Sequence, residues 1–149
     1  KKKEKPKIKK EEAVINGKNL PVSTLDSIYI CKFIKNKSIE KAIEDLKQVL
    51  AKKKVIPMKG EIPHKKGKVF SSGRYPKNTT EVFIGLLKSL QANANANGID
   101  EPVIIEAISN NASRPFGRFG RVRHKRTHVS IKVREKELLK KSKKNKEKK

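Results

Sequence analysis

Residues 103–134 read VIIEAISNNASRPFGRFGRVRHKRTHVSIKVR, and the architecture turns on them. Residues 103–108 are strongly apolar. At the far end Thr127, Val129, Ile131 and Val133 alternate strictly with His128, Ser130, Lys132 and Arg134. A period of two puts alternate side chains on opposite faces, so each end of the stretch is a predicted strand. The eighteen residues between them, 109–126, contain Phe116, Phe119, Gly117, Gly120 and a cluster of arginines. The simplest topology is an antiparallel hairpin with a long extension. Projecting so polar and charged a ribbon into water gains a globular protein nothing. A ribbon inserted into folded RNA meets counter-charge on both faces.

The charge of the whole chain points the same way. Its 149 residues carry 39 Lys and Arg against 15 Asp and Glu, a formal net charge of +24, so self-repulsion opposes compaction unless a polyanion neutralises it. Lysine-rich ends are commonly solvated and say little by themselves. Residues 1–12 hold seven Lys and three Glu, and residues 135–149 hold eight Lys and three Glu; together they account for nine of the positive charges and leave fifteen in between. Residues 103–134 also hold six of the seven arginines. Lysine is a point charge, whereas arginine's planar fork binds phosphate bidentately and stacks on bases. Its concentration in one segment implies a demand for that geometry.

Working outward, the chain reads as one α+β domain at residues 13–134, with the extended hairpin at 103–134. A basic N-terminal arm covers 1–12 and a Lys-rich C-terminal tail covers 135–149. Ala13, Val14 and Ile15 suggest a short edge strand ending in a turn at Asn16-Gly17. Ser23 followed by Asp26 resembles a capping box, and Leu25, Ile28, Tyr29, Cys31, Phe33 and Ile34 give a first helix ending near Asn36. Ser38 caps a second helix whose stripe is Ile39, Ala42, Ile43, Leu46, Val49 and Leu50. Residues 52–74 read as a basic irregular loop. Pro76 opens a third helix with Val82, Phe83, Leu86, Leu87 and Leu90 buried and Gly98 as its stop, and Gly85 inside it suggests close packing.

Catalytic chemistry is thinly represented. There is no Walker loop, no GxGxxG after a strand, no paired cysteine spacing and no HExxH. The lone Cys31 cannot make an internal disulfide or a cysteine-based zinc site. His124 and His128 lie among arginines that would repel a metal ion, so they suit phosphate or base contacts better than metal ligation, and His64 sits in the basic loop. No apolar run is long enough to span a bilayer, and no signal-peptide core follows the first lysines. The expectation is a soluble intracellular protein that is not an enzyme, has no cofactor, binds no metal and has no membrane partner.

Gly73-Arg74-Tyr75-Pro76, the helix through Leu86-Leu87, Ala92-Asn93-Ala94-Asn95-Ala96 ending in Gly98, Phe119-Gly120-Arg121 and Lys125-Arg126-Thr127-His128 occur in an order that resembles a known family. So do the opening strand, Pro21-Val22-Ser23 with its helix, and Lys37-Ser38 with the next. The resemblance, over roughly residues 13–134, is to the universal large-subunit ribosomal protein family twenty-two, archaeal or eukaryotic type. It implies three helices against a three-stranded antiparallel sheet, with a hairpin that crosses ribosomal RNA to the wall of the nascent-peptide exit tunnel. It further implies RNA contacts by Arg114, Arg118, Arg121, Arg123, His124, Lys125 and Arg126 on the hairpin and by Lys65, Lys66, Lys68 and Arg74 near the body. Phe116, Gly117, Arg118, Phe119 and Gly120 would form the tunnel-facing tip. The implied partners are large-subunit ribosomal RNA, neighbouring ribosomal proteins and the nascent polypeptide, and the implied location is the cytoplasmic ribosome. The rival readings are a general nucleic-acid chaperone or DNA-compacting protein, which predicts comparable binding to duplex DNA, and a binder of acidic membranes or proteins, which lacks a basic amphipathic helix to support it.

Overall fold

A computed structural model describes residues 11–60 and 72–136. Five strands and three helices run in the order β1 Glu12–Leu20, α1 Thr24–Ile34, α2 Ile39–Leu50, β2 Ile56–Pro57, β3 Gly73–Arg74, α3 Lys77–Ala96, β4 Pro102–Asn111 and β5 Thr127–Glu135. The main sheet is antiparallel with the order β1-β5-β4, so the strand with the clearest alternation is the central one. Thr127, Val129, Ile131 and Val133 are all buried on its helix-facing side. Ala13 and Ile15 stand opposite Val133 and Ile131 on one flank, and Ile104 and Ala107 stand opposite the same two residues on the other. This one face makes the floor of the core, as expected of an antiparallel sheet covered on one side.

The helices close that floor. α1 lies against β4, α3 lies against β1, and α2 packs on α3. Ile30, Ile34, Ile39, Leu46, Phe83, Leu87, Leu90, Ile104 and Ile131 are wholly buried at the junction. Burying a side chain of this size stabilises the fold by about 1.5–3 kcal/mol. The α2 stripe agrees with its spacing except that Leu50 is only half-buried, and buried Asp45 joins it. In α1 the buried set is Ser27, Ile30, Cys31 and Ile34, while Leu25 is 50% exposed. Seven of the eleven α1 residues are apolar and they lie on all sides of the helix, so periodicity could not pick out the face that meets β4. Neither Ser23 nor Ser38 makes the capping bond its position suggested.

Three further differences have local causes. β1 does not turn at Asn16-Gly17 but runs on to Leu20, with a bulge between Gly17 and Leu20 and Asn19 left-handed at φ 55°. Gly17 serves close approach instead: a Cβ there would sit 2.8 Å from Leu20 Cδ1 and 3.2 Å from Leu86 Cδ2. Gly85, by contrast, has open space where a Cβ would go, so close packing is not its reason. The basic loop is not wholly irregular, because Ile56 pairs with Arg74 and Pro57 with Gly73 at its two ends.

Two clamps fix the sheet to the helices. The linker between α1 and α2 covers the β4 edge: the Asn36 amide donates to the Ile104 carbonyl and the Ile104 amide donates to the Lys37 carbonyl, each at 2.9 Å. Around Val103 and Ile104 the edge is thereby closed to another strand. At the other end buried Thr127 donates its hydroxyl to the Val22 carbonyl at 2.9 Å and accepts from the Thr24 hydroxyl at 2.8 Å. The start of α1 is thereby tied to the point where the hairpin leaves the core.

Candidate nucleic-acid interface

Beyond Asn111 and Thr127 the two legs of the hairpin continue side by side without a core beneath them. The Ala112 amide donates to the Arg126 carbonyl at 3.1 Å, the His124 amide to the Pro115 carbonyl at 2.9 Å, and the Gly117 amide to the Val122 carbonyl at 2.7 Å. Phe116 bridges to Arg123 across the legs. The end is a reverse turn over residues 117–120, closed by the Gly120 amide donating to the Gly117 carbonyl at 3.0 Å. Gly120 takes φ +65°, a conformation that costs glycine little and most residues more. The two Phe-Gly-Arg repeats therefore meet in the turn, Gly117 and Arg118 coming from the first and Phe119 and Gly120 from the second.

The residues expected to contact RNA fall into three groups. Arg114, Arg118, Arg121, Arg123, His124 and Lys125 are exposed along the legs and turn, and Arg126 is half-buried at the root. Arg74 is exposed on β3, at the edge of the body. Lys65, Lys66 and Lys68, with His64, lie outside the described residues. At the tip Phe119 is 80% exposed and Phe116 58%, Arg118 and Gly120 are open to solvent, and Gly117 is partly covered.

Two physical features distinguish this ribbon. Residues 109–126 contain five Arg and one Lys but no Asp or Glu, so the cations have no local acid to neutralise them. Among the described residues none of these guanidinium groups joins an ion pair. Two instead lie against the exposed rings: Arg123 is 4.4 Å from the centre of Phe116 and Arg118 is 5.4 Å from that of Phe119. A guanidinium held over an aromatic face keeps its donors free for phosphate while offering a flat surface for stacking.

Body cations behave differently. Asp45 accepts from Lys37 at 2.5 Å and Lys54 at 2.7 Å, and both ammonium groups sit over Phe33, at 3.7 and 5.5 Å from its centre. Burial of the Asp45 carboxyl acts to raise its pKa, but the hydrogen bonds and charges of Lys37 and Lys54 prevail and hold it below the ordinary 3.8. Lys132 pairs with Glu106 at 2.8 Å, Lys136 with Glu101 at 2.7 Å, and Arg134 with Glu12. Among the described residues Arg134 is the one arginine of residues 103–134 held by an acid of the body. His128 is also engaged, since its Nδ1 accepts from the Asn19 amide at 3.1 Å and so secures the β1 bulge. Cys31 is buried, and that burial pushes its thiol up to about 12 with the Ser109 hydroxyl opposing it, so it is an inert core group.

Sequence reasoning missed the convergence of the α1 and α3 starts on Lys125. Pro21, Val22, Ser23 and Asp26 line one side of a cleft there, and Pro76, Lys77, Asn78 and Thr79 line the other. Some fifty residues separate the two helix starts, and no local pattern relates them.

Comparison with known proteins adds a finding of a different kind. The family model for Ribosomal protein L22p/L17e matches residues 15–134. The large ribosomal subunit protein uL22 of Methanoculleus marisnigri is 38% identical over 120 residues, covering 72% of this chain and 78% of its own. Its namesakes in Nanoarchaeum equitans and Methanococcus aeolicus are 33% identical over 138 residues and 31% identical over 128, covering 83% and 77% of this chain and 78% and 84% of their own. The chain belongs to the ribosomal protein L22p/L17e family.

Proposed function

We propose that this protein is a structural constituent of the large subunit of the cytoplasmic ribosome, where it clamps ribosomal RNA and carries out no reaction of its own. Arg114, Arg118, Arg121, Arg123, His124, Lys125 and Arg126 bind RNA along the hairpin. Lys65, Lys66, Lys68 and Arg74 bind it beside the body. The hairpin reaches the nascent-peptide exit tunnel, with residues 116–120 nearest the growing chain, and neighbouring ribosomal proteins complete the surroundings.

The observation that carries this reading is the acid-free hairpin whose guanidinium groups lie against exposed Phe rings instead of carboxylates. Such a surface is suited to irregular RNA, where phosphates take up the charge and unpaired bases stack on the rings. The relatives' names, large ribosomal subunit protein, support the same assembly. The archaeal cast of those relatives agrees with the type the sequence resembles.

Competition binding tests the reading. At moderate salt the full chain is expected to prefer large-subunit ribosomal RNA over duplex DNA of equal phosphate concentration. Equal affinity for the two would instead support a DNA-compacting or general chaperone role.

A further inference from the structure

A cleft of about 720 Å³ lies between the start of α2, the end of α3 and the start of β4. Its charge is the reverse of the chain's: Glu40, Asp100 and Glu101 line it against one cation, Lys136, in a protein of net charge +24. Lys136 pairs with Glu101 at 2.7 Å. Among the described residues Glu40 and Asp100, both exposed, join no ion pair. Ile39, Ile99, Pro102 and Val103 give the same cleft an apolar side. A lining of this kind repels phosphate and is complementary to a peptide segment that combines bulky apolar side chains with cations.

A segment with that chemistry starts at the mouth of the cleft. The described chain ends at Lys136, which belongs to the lining, and Glu137, Leu138, Leu139, Lys140 and Lys141 come next. Residues 137–149 lie outside the described residues. Leu138 and Leu139 are the only apolar residues after Val133, and a tail that served only to meet phosphate would need neither. Three residues of chain span at most about 11 Å, so Leu139 cannot lie far from Lys136. Tethering at that distance holds the segment at roughly millimolar effective concentration, which favours it over a basic segment of another protein.

We propose that the cleft is the docking site of this chain's own residues 137–141. Leu138 and Leu139 meet Ile39, Ile99 and Val103, while Lys140 and Lys141 meet Glu40 and Asp100. β5 leaves the hairpin root at Thr127 and reaches this end of the sheet at Glu135, so docking anchors the tail about 27 Å from the point where the hairpin departs. The lysines from Lys143 onward then start from the opposite end of the central strand. The inference concerns the free protein and does not depend on the RNA-binding role proposed above.

The test is methyl NOE spectroscopy on the ¹³C-methyl-labelled full chain without RNA, beside the double variant Leu138→Asp/Leu139→Asp. Amide shifts of both proteins are then followed as a synthetic peptide of residues 137–149 is added. In the wild type, NOEs are expected from the Leu138 or Leu139 methyls to those of Ile39, Ile99 or Val103. The double variant should shift the Glu40, Asp100 and Val103 amides and bind the peptide about tenfold more tightly than the wild type, whose own tail competes. Adding Glu40→Gln and Asp100→Asn, two exposed positions on the body, should weaken the peptide about threefold. Absent NOEs, or cleft amides unmoved in the double variant, would overturn the proposal. Equal peptide affinity for wild type and double variant would also overturn it, and would make the cleft a site for a basic segment of another protein.

Discussion

The hairpin tip and the Asp45 cluster both place cations over aromatic rings, yet they use them in opposite ways. Around Asp45, Lys37 and Lys54 cover Phe33 and satisfy a buried carboxylate, so charge is consumed inside the fold. At the tip, Arg118 and Arg123 cover Phe119 and Phe116 with no acid in the same eighteen residues, so charge is left for something outside the fold. Similar pairwise chemistry serves stability in one place and, in the function proposed above, recognition in the other. The presence or absence of a carboxylate decides which.

The strongest way to break this comparison is to remove the hairpin guanidinium groups together. Arg114, Arg118, Arg121 and Arg123 replaced by Ala are expected to leave thermal unfolding nearly unchanged, because none of them contacts the core. If the wild type neutralises about eight phosphates, its log–log salt slope on large-subunit RNA should be roughly −6, falling to about −3 in the variant. An unchanged slope would place the RNA contacts elsewhere.

The converse experiment touches the body alone. Phe83→Ala opens a cavity under α3 and should cost about 3–5 kcal/mol in urea unfolding, with salt dependence unchanged in whatever fraction remains folded. Asp45→Ala is smaller, about 1–3 kcal/mol, since it leaves Lys37 and Lys54 without their acceptor. Its pH dependence follows from the depressed pKa. The folded state holds the Asp45 proton less tightly than the unfolded chain, so the pairing contributes fully above the ordinary 3.8 and is lost as pH falls through the lowered folded value. Acid unfolding of Asp45→Ala should accordingly be shallower than wild type below pH 4. Smallest is Gly85→Ala, expected to raise stability by about 0.5–1 kcal/mol, because the added methyl meets nothing and the helix gains propensity.

How much of this was legible in the residues depended on where the information lies. β5 could be read directly, since alternation along one strand records which face is buried. The helix α2 was nearly as clear, because its charged side contrasts with its apolar side. The buried face of α1 was hidden because its apolar residues lie all round the helix: Leu25 and Ile30 look alike in sequence, and only β4 tells them apart. Asn16-Gly17 looked like a turn because Asn-Gly usually is one, whereas here the glycine makes room for Leu86. The β2–β3 pairing is two residues long and closes over a long loop, too short to leave a period. As for the candidate site, the arginine cluster and the tip glycines stood out from composition alone. The engagement of Arg134 and His128 by the body did not, because their partners Glu12 and Asn19 lie more than a hundred residues away.

The most direct test of the central claim, that the hairpin's free charge is matched by large-subunit RNA, is sedimentation of native lysate through a high-salt gradient with detection of this protein across the fractions. Persistent co-migration with the large subunit is the predicted result. Release to the top of the gradient, at salt that leaves the subunit intact, would contradict it.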